Sequence, residues 1–327
     1  MINEQYKAML GGKSIIRELS EYATERGKEI GYENVFDYSL GNPSVPCPAD
    51  YTKTMIELHE QMDPMALHGY SPSLTIPSVR QAVAESLNRR FGMDYTMNHI
   101  FMTTGAAGAL AHALRAVTKP GDEVLTFAPY FPEYGPYVEG AGDVLKVVPA
   151  NTEDFQINFA AFEEMLTDKV AAVLINTPNN PSGIAYSTKT IEKLAEVLTR
   201  KQKEYGHDIF LISDEPYREI VFAGADAPYP SKFYDNTLSC YSFSKSLSLP
   251  GERIGYVAVN PRCTDADLLV AIMAQISRGT GHNCPSSSVQ LAVAKVLDQT
   301  SDLSVYETNM NILYDALTRL GFEVVKP

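Results

Sequence analysis

The sequence predicts an α/β fold: a mostly parallel sheet sandwiched by helices, with a smaller α+β domain formed by both termini. Three observations predict it. Seven short apolar runs alternate along the chain with stretches of helical period. The runs lack the strict apolar–polar alternation of strands with one wet face, as expected for strands covered on both sides. No low-complexity stretch, repeat or long charged run interrupts Tyr51 to Pro285, so that segment reads as one large domain.

The elements follow in order. Ser14–Lys28 has an amphipathic helical pattern, with Ile15, Ile16, Leu19, Tyr22 and Ala23 on one stripe. The expected strands are His99–Thr103, Glu123–Phe127, Val144–Val148, Val170–Ile175, Ile209–Ile212, Leu238–Tyr241 and Gly255–Val259. Helical period appears at Ser78–Phe91, Ala107–Val117, Phe159–Leu166 and Thr188–Tyr205. A long helical pattern then runs from about Ser286 to Leu297, and a second from Val305 to Leu320, closed by Gly321. A strand-like Phe322–Val325 leads to Pro327. The expected division is 45–290 for the large domain, and 1–44 together with 291–327 for the small one.

Composition bounds the function. The chain has 327 residues, 45% of them hydrophobic, and a formal charge of −13. That acidity argues against a nucleic-acid partner, which needs clustered Lys and Arg. No run approaches the roughly 20 apolar residues of a membrane span, and Met1–Leu10 lacks the pattern of a signal peptide. Cys47, Cys240, Cys263 and Cys284 lie far apart, which points away from a metal cage or a disulfide framework. The expected setting is the cytoplasm.

Four polar constellations follow apolar runs. Ser242-Phe-Ser244-Lys245 is followed eight residues later by Arg253, between Gly251 and Gly255. Hydroxyls and a guanidinium can hold a phosphate, and a lysine amine can form a Schiff base; the same residues also fit a serine-rich surface loop. Asp214, in Ser213-Asp214-Glu215-Pro216-Tyr217, stands where open α/β sheets place their ligands, or else caps the next turn. Asn176-Thr-Pro-Asn179-Asn180-Pro181-Ser182-Gly183 reads as a tight loop that could aim an amide into the crevice. Thr103-Thr104-Gly105-Ala106-Ala107-Gly108 lets backbone amides at a helix start approach an anion, without matching the dinucleotide fingerprint. Gly11-Gly12-Lys13-Ser14 ends like a phosphate loop, but Lys7 stands where that motif needs glycine. One ligand would use the whole set: an anion cradle, a lysine, a carboxylate and a phenol.

The order and spacing Ser242-x-Ser244-Lys245-x7-Arg253-x-Gly255-Tyr256 resembles the class I and II, aspartate-type aminotransferases, fold-type I enzymes dependent on pyridoxal 5'-phosphate. The motif match runs from about Asp37 to Tyr256. The resemblance implies a Schiff base between Lys245 and the cofactor, with Ser242, Ser244, Arg253 and the backbone of Gly105, Ala106 and Ala107 on its phosphate. It implies Asp214 on the pyridinium nitrogen, Tyr217 and Asn180 on the ring oxygen, and Phe131 of Pro129-Tyr130-Phe131 stacked on the ring. Aspartate-specific members often carry tryptophan at that last position, and this chain has none.

Ser39-Leu40-Gly41-Asn42-Pro43 resembles the loop whose glycine touches the substrate carboxylate, and Asn180 would also meet the substrate. His68-Gly69-Tyr70-Ser71-Pro72 resembles the segment that sends a tyrosine into a neighbouring subunit's phosphate site, which implies a homodimer with shared active sites. Arg278 stands near where some dicarboxylate-specific relatives place a substrate-binding arginine.

The implied activity moves an amino group between an L-amino acid, with aspartate a candidate, and a 2-oxo acid. A carbon–sulfur β-lyase shares the fold and residues. A regulatory protein with an aminotransferase-like domain would need a DNA-binding domain ahead of Asp37, and a nicotinamide dehydrogenase would need its glycine fingerprint. No position matches the family's arginine for the substrate α-carboxylate, so the chain is expected to be truncated within the small domain.

Overall fold

Val, Ile, Leu and Ala fill the strands because each sheet face is covered by helices, which leaves few positions for polar side chains. The computed structural model describes residues 2, 4–9, 15–39, 41–222 and 224–327. The chain forms two compact units, Met1–Ser44 and Val45–Pro327. Residues 291–327 are thus grouped with the large unit. The first unit holds α1 (Glu4–Met9) and α2 (Ile15–Ile30), with no strand among its described residues. The Gly11-Gly12-Lys13-Ser14 segment and Leu40 lie outside the described residues.

The second unit begins with α3 (Ala49–Gln61), α4 (Pro64–His68) and α5 (Pro77–Phe91). Strands and helices then alternate: β1 (Ile100–Thr103), α6 (Gly105–Val117), β2 (Glu123–Phe127), α7 (Tyr134–Ala141), β3 (Val144–Val148) and α8 (Phe159–Met165). They continue as β4 (Val170–Asn176), α9 (Thr188–Tyr205), β5 (Phe210–Asp214), β6 (Thr237–Ser242), α10 (Phe243–Ser246) and β7 (Gly255–Val259). Finally come α11 (Ala266–Thr280), α12 (Ser287–Val293) and α13 (Ser304–Arg319). Ser187 caps α9 by accepting from the Thr190 amide, and Gly206 ends it in the left-handed conformation at φ 74°. None of these helices is long and apolar enough to cross a membrane, among the described residues.

The seven strands form one sheet in the order β1-β7-β6-β5-β4-β2-β3. β6, β5, β4, β2 and β3 run parallel, and β7 is antiparallel to both of its neighbours. Ala172 and Leu174 of β4 face α6, α7 and α11, whereas Val173 and Ile175 face α8 and α9. Tyr256 and Ala258 of β7 pack towards α5 and α12. Fully buried side chains such as Leu110 and Leu174 each stabilise the fold by about 1.5–3 kcal/mol relative to exposure. The sheet is therefore sandwiched as the sequence predicts.

Three local expectations need correction. β3 is not buried on both faces: its burial alternates, with Val144 43% exposed, because it is the last strand of the sheet. The Ser286–Leu297 helix stops at Val293, where the chain tightens into turns as Lys295 and Val296 donate to Ala292 and Val293. Phe322–Val325 forms no strand, since no neighbouring strand offers it a ladder among the described residues.

Candidate active site

Strand register brings the polar loops to one edge of the sheet. Gly255, the first residue of β7, pairs with Thr103 on one side and Ser242 on the other. Asp214, the last residue of β5, pairs with Asn176, the last of β4, and with Cys240. The carboxyl ends of β1, β6, β5 and β4 thus share one rim, the place where open α/β sheets bind ligands.

At the β1–β7–β6 end the rim forms an anion cradle. Gly105 opens α6 at φ 82°, where a Cβ would stand 3.0 Å from Nη2 of Arg253. Arg253 is itself left-handed, at φ 52°. Its Nη1 donates to the Pro250 carbonyl at 3.0 Å and its Nη2 to that of Thr104 at 3.4 Å, so the guanidinium is anchored yet accessible. Ser242 and Ser244 share a hydrogen bond of 2.7 Å, and the Ser244 amide donates to Oγ of Ser242. Ala106 and Ala107 are half-buried in the first turn of α6. Hydroxyls, a guanidinium and free helix-start amides are the donor set that holds a phosphate group.

The β5 end carries the carboxylate. Asp214 is 4% exposed, and its Oδ2 accepts the hydroxyl proton of Tyr134 at 2.6 Å. Its Oδ1 is buried with no partner among the described residues. Burial pushes the Asp214 carboxyl up to about 7; the Tyr134 hydrogen bond works against that rise, and the Glu215 charge adds to it. Glu215 is paired with Arg218 at 3.0 Å. A buried carboxylate oxygen left alone is costly, and a cationic ring nitrogen would satisfy it. The site therefore fits a phosphorylated pyridine.

Two further groups complete the rim. Asn180 donates to the Tyr217 hydroxyl at 3.3 Å. Asn176 holds that loop to β5, donating to the Asp214 carbonyl at 2.9 Å and accepting from the Asn180 amide at 2.7 Å. Lys245 follows the serine pair in α10 and is half-buried, so desolvation pushes its ammonium down and favours the neutral amine. Phe131 packs edge-on to Tyr134 with centroids 5.8 Å apart, which puts it one ring away from Asp214.

The chain also resembles known proteins. A family model described as "Aminotransferase class I and II" matches residues 33–327. This chain belongs to the class I and II aminotransferases. The family comprises transferases that depend on pyridoxal 5'-phosphate. The chain is 32% identical over 93% of its length to a probable aspartate/prephenate aminotransferase of Aquifex aeolicus, of which it covers 77%. It is 30% identical over 79% of its length to the corresponding protein of Thermus aquaticus, of which it covers 66%. Among solved structures, an aminotransferase from Eubacterium rectale superposes with a TM-score of 0.97 at 46% identity, over 100% of this chain and 82% of that one.

Two expected site residues of the second unit, Arg278 and Tyr70, stand apart from this rim. Arg278 is exposed on the last turn of α11, and no hydrogen bond or ion pair joins it to the rim among the described residues. Tyr70 is fully exposed just beyond α4. Gly41 belongs to the amino-terminal unit. Conversely, the sequence reading missed Tyr134. Gly135, Pro136 and Gly140 mask the helix that carries it. The available signal was the i, i+4 pair Tyr134 and Val138, both fully buried.

Proposed function

We propose that this chain transfers the amino group of an L-amino acid to a 2-oxo acid, with aspartate the candidate donor. One observation carries the reading: Oδ1 of Asp214, without a partner among the described residues, lies on the same sheet rim as Lys245 and the phosphate cradle. Bound pyridoxal phosphate supplies a ring that draws electrons from the substrate carbon. Ser242, Ser244, Arg253 and the amides of Gly105, Ala106 and Ala107 bind its phosphate. Asp214 holds the proton on the ring nitrogen, Tyr217 and Asn180 donate to the ring oxygen, and Phe131 covers a ring face. The Lys245 amine would take up the proton of the substrate Cα and hold it for redelivery within the site, a role that burial assists by favouring the neutral amine.

Gly41, Asn180 and Arg278 are assigned to the substrate side. Tyr70 reaches the phosphate site of a second copy in a homodimer, which agrees with its full exposure here. Aspartate is favoured because relatives carry aspartate/prephenate aminotransferase names and because a Thermus thermophilus aspartate aminotransferase, 25% identical with a TM-score of 0.84, was solved with maleate. The cytoplasm suits such an enzyme. The test is a titration of the holoenzyme with single amino acids, following loss of its visible band. Aspartate should discharge the band only to the extent that a 2-oxo acid appears. Release of pyruvate from cystathionine without an oxo-acid acceptor would instead mark a β-lyase.

A further inference from the structure

Asp214 has one oxygen that is held and one that is not. Oδ2 accepts from the Tyr134 hydroxyl at 2.6 Å, and Oδ1 meets no protein donor among the described residues. Tyr134 is 0% exposed at the start of α7, with Tyr130 stacked at 6.4 Å and Phe131 edge-on at 5.8 Å. Its ring cannot swing towards water. A tyrosine hydroxyl has a single proton to donate, and Asp214 is where it goes.

The groups facing this carboxylate come from three elements. Tyr134 and Tyr137 approach from α7, Glu215 and Tyr217 from the segment after β5, and Cys240 from β6. Burial and the Glu215 charge disfavour an ionised Asp214, and the Tyr134 hydrogen bond opposes them. No other side chain donates to Asp214 among the described residues.

We propose that Tyr134 is a positioning residue: its hydroxyl holds Oδ2 of Asp214 and leaves Oδ1 as the oxygen offered to the cofactor's ring nitrogen. The proposal rests on the reading of Asp214 given above. The carboxylate and the nitrogen compete for one proton, and a donor on Oδ2 stabilises the carboxylate, so the proton stays on the nitrogen. Without that donor, Asp214 takes the proton itself.

The experiment compares Tyr134→Phe, Asp214→Asn and the double variant as holoenzymes. The readouts are kcat and KM, apoenzyme thermal unfolding, and the nitrogen NMR resonance of cofactor labelled with 15N in the ring. Tyr134→Phe should lower kcat about 10- to 100-fold with KM little changed, the loss expected for one hydrogen bond to a charged group. Its ring-nitrogen resonance should move towards the unprotonated position. In the Asp214→Asn background the same change should have no further effect. Tyr134→Phe with a protonated resonance and kcat within about twofold of wild type would overturn the proposal; so would an apoenzyme that no longer folds, which would assign the residue to packing. Asp214→Asn retaining both the protonated resonance and wild-type kcat would sink the reading of Asp214 itself. The two failures are therefore distinguishable. In wild-type holoenzyme a Tyr134 hydroxyl proton, assigned by tyrosine labelling, should persist downfield in slow exchange, and its absence would also overturn the proposal.

Discussion

Gly105 and Arg253 are locked together: a Cβ on the glycine would stand 3.0 Å from Nη2 of the arginine. The glycine's left-handed φ of 82° adds a second penalty for any other residue. Gly105→Ala should therefore displace the guanidinium and strain the start of α6, at about 1–3 kcal/mol. Cofactor affinity should fall about 10- to 100-fold while the apoenzyme still folds, as measured by reconstitution with pyridoxal phosphate. Gly255→Ala is harsher. Its Cβ would come within van der Waals overlap of the Tyr241 carbonyl and 3.0 Å from Cα of Gly105, all of it backbone. That variant should fail to accumulate as folded protein, and a melting temperature near wild type would contradict the packing described for β6–β7.

Lys245→Ala removes the amine proposed to carry both the covalent link and the proton. Transamination should fall by about 10²–10⁴-fold or more, and the visible band of the lysine-linked cofactor should vanish. An unchanged absorbance spectrum would refute the assignment of Lys245.

Asp214 gives the cofactor-free chain a distinctive pH dependence. Its carboxyl titrates near 7 when folded, against a usual value of 3.8. An acid with a raised folded pKa binds its proton more tightly in the native state, so its contribution is favourable at low pH. That contribution is lost as pH rises from about 4 to about 7, by an amount of order 4 kcal/mol. Apoenzyme melting temperatures should decline across this window more steeply than those of Asp214→Asn. Equal slopes would show that Asp214 is ionised at little cost.

Tyr70 and Lys245 should complement each other if sites are shared between copies. Tyr70→Ala and Lys245→Ala proteins, each weak alone, should regain about a quarter of wild-type turnover when unfolded together and refolded, because half of the random dimers hold one intact site. Additive residual activity alone would argue for self-contained sites.

Arg278→Ala tests the substrate assignment. It should reduce kcat/KM for aspartate about 10-fold or more and leave alanine nearly untouched, the pattern of a lost contact to the second carboxylate. Equal losses for the two amino acids would remove Arg278 from the substrate site.

Features that depend on near neighbours along the chain were legible before any fold was known. Strands β2, β3 and β7 begin and end at the expected residues, because β-prone runs bounded by turn formers mark a strand locally, although β3 is not covered on both faces. The Ser242, Ser244, Lys245 and Arg253 spacing was legible for the same reason, since twelve positions and one turn contain it. Contacts that span the chain were decided only by tertiary structure. Tyr134 meets Asp214 across 80 residues, through a helix whose glycines and proline hide it. The strand order, which sets Gly255 between Thr103 and Ser242, is invisible to periodicity. An apolar run states that a strand is covered, not which strand lies beside it. The failed strand at Phe322–Val325 makes the same point, because a β-prone run becomes a strand only where another strand supplies its hydrogen bonds.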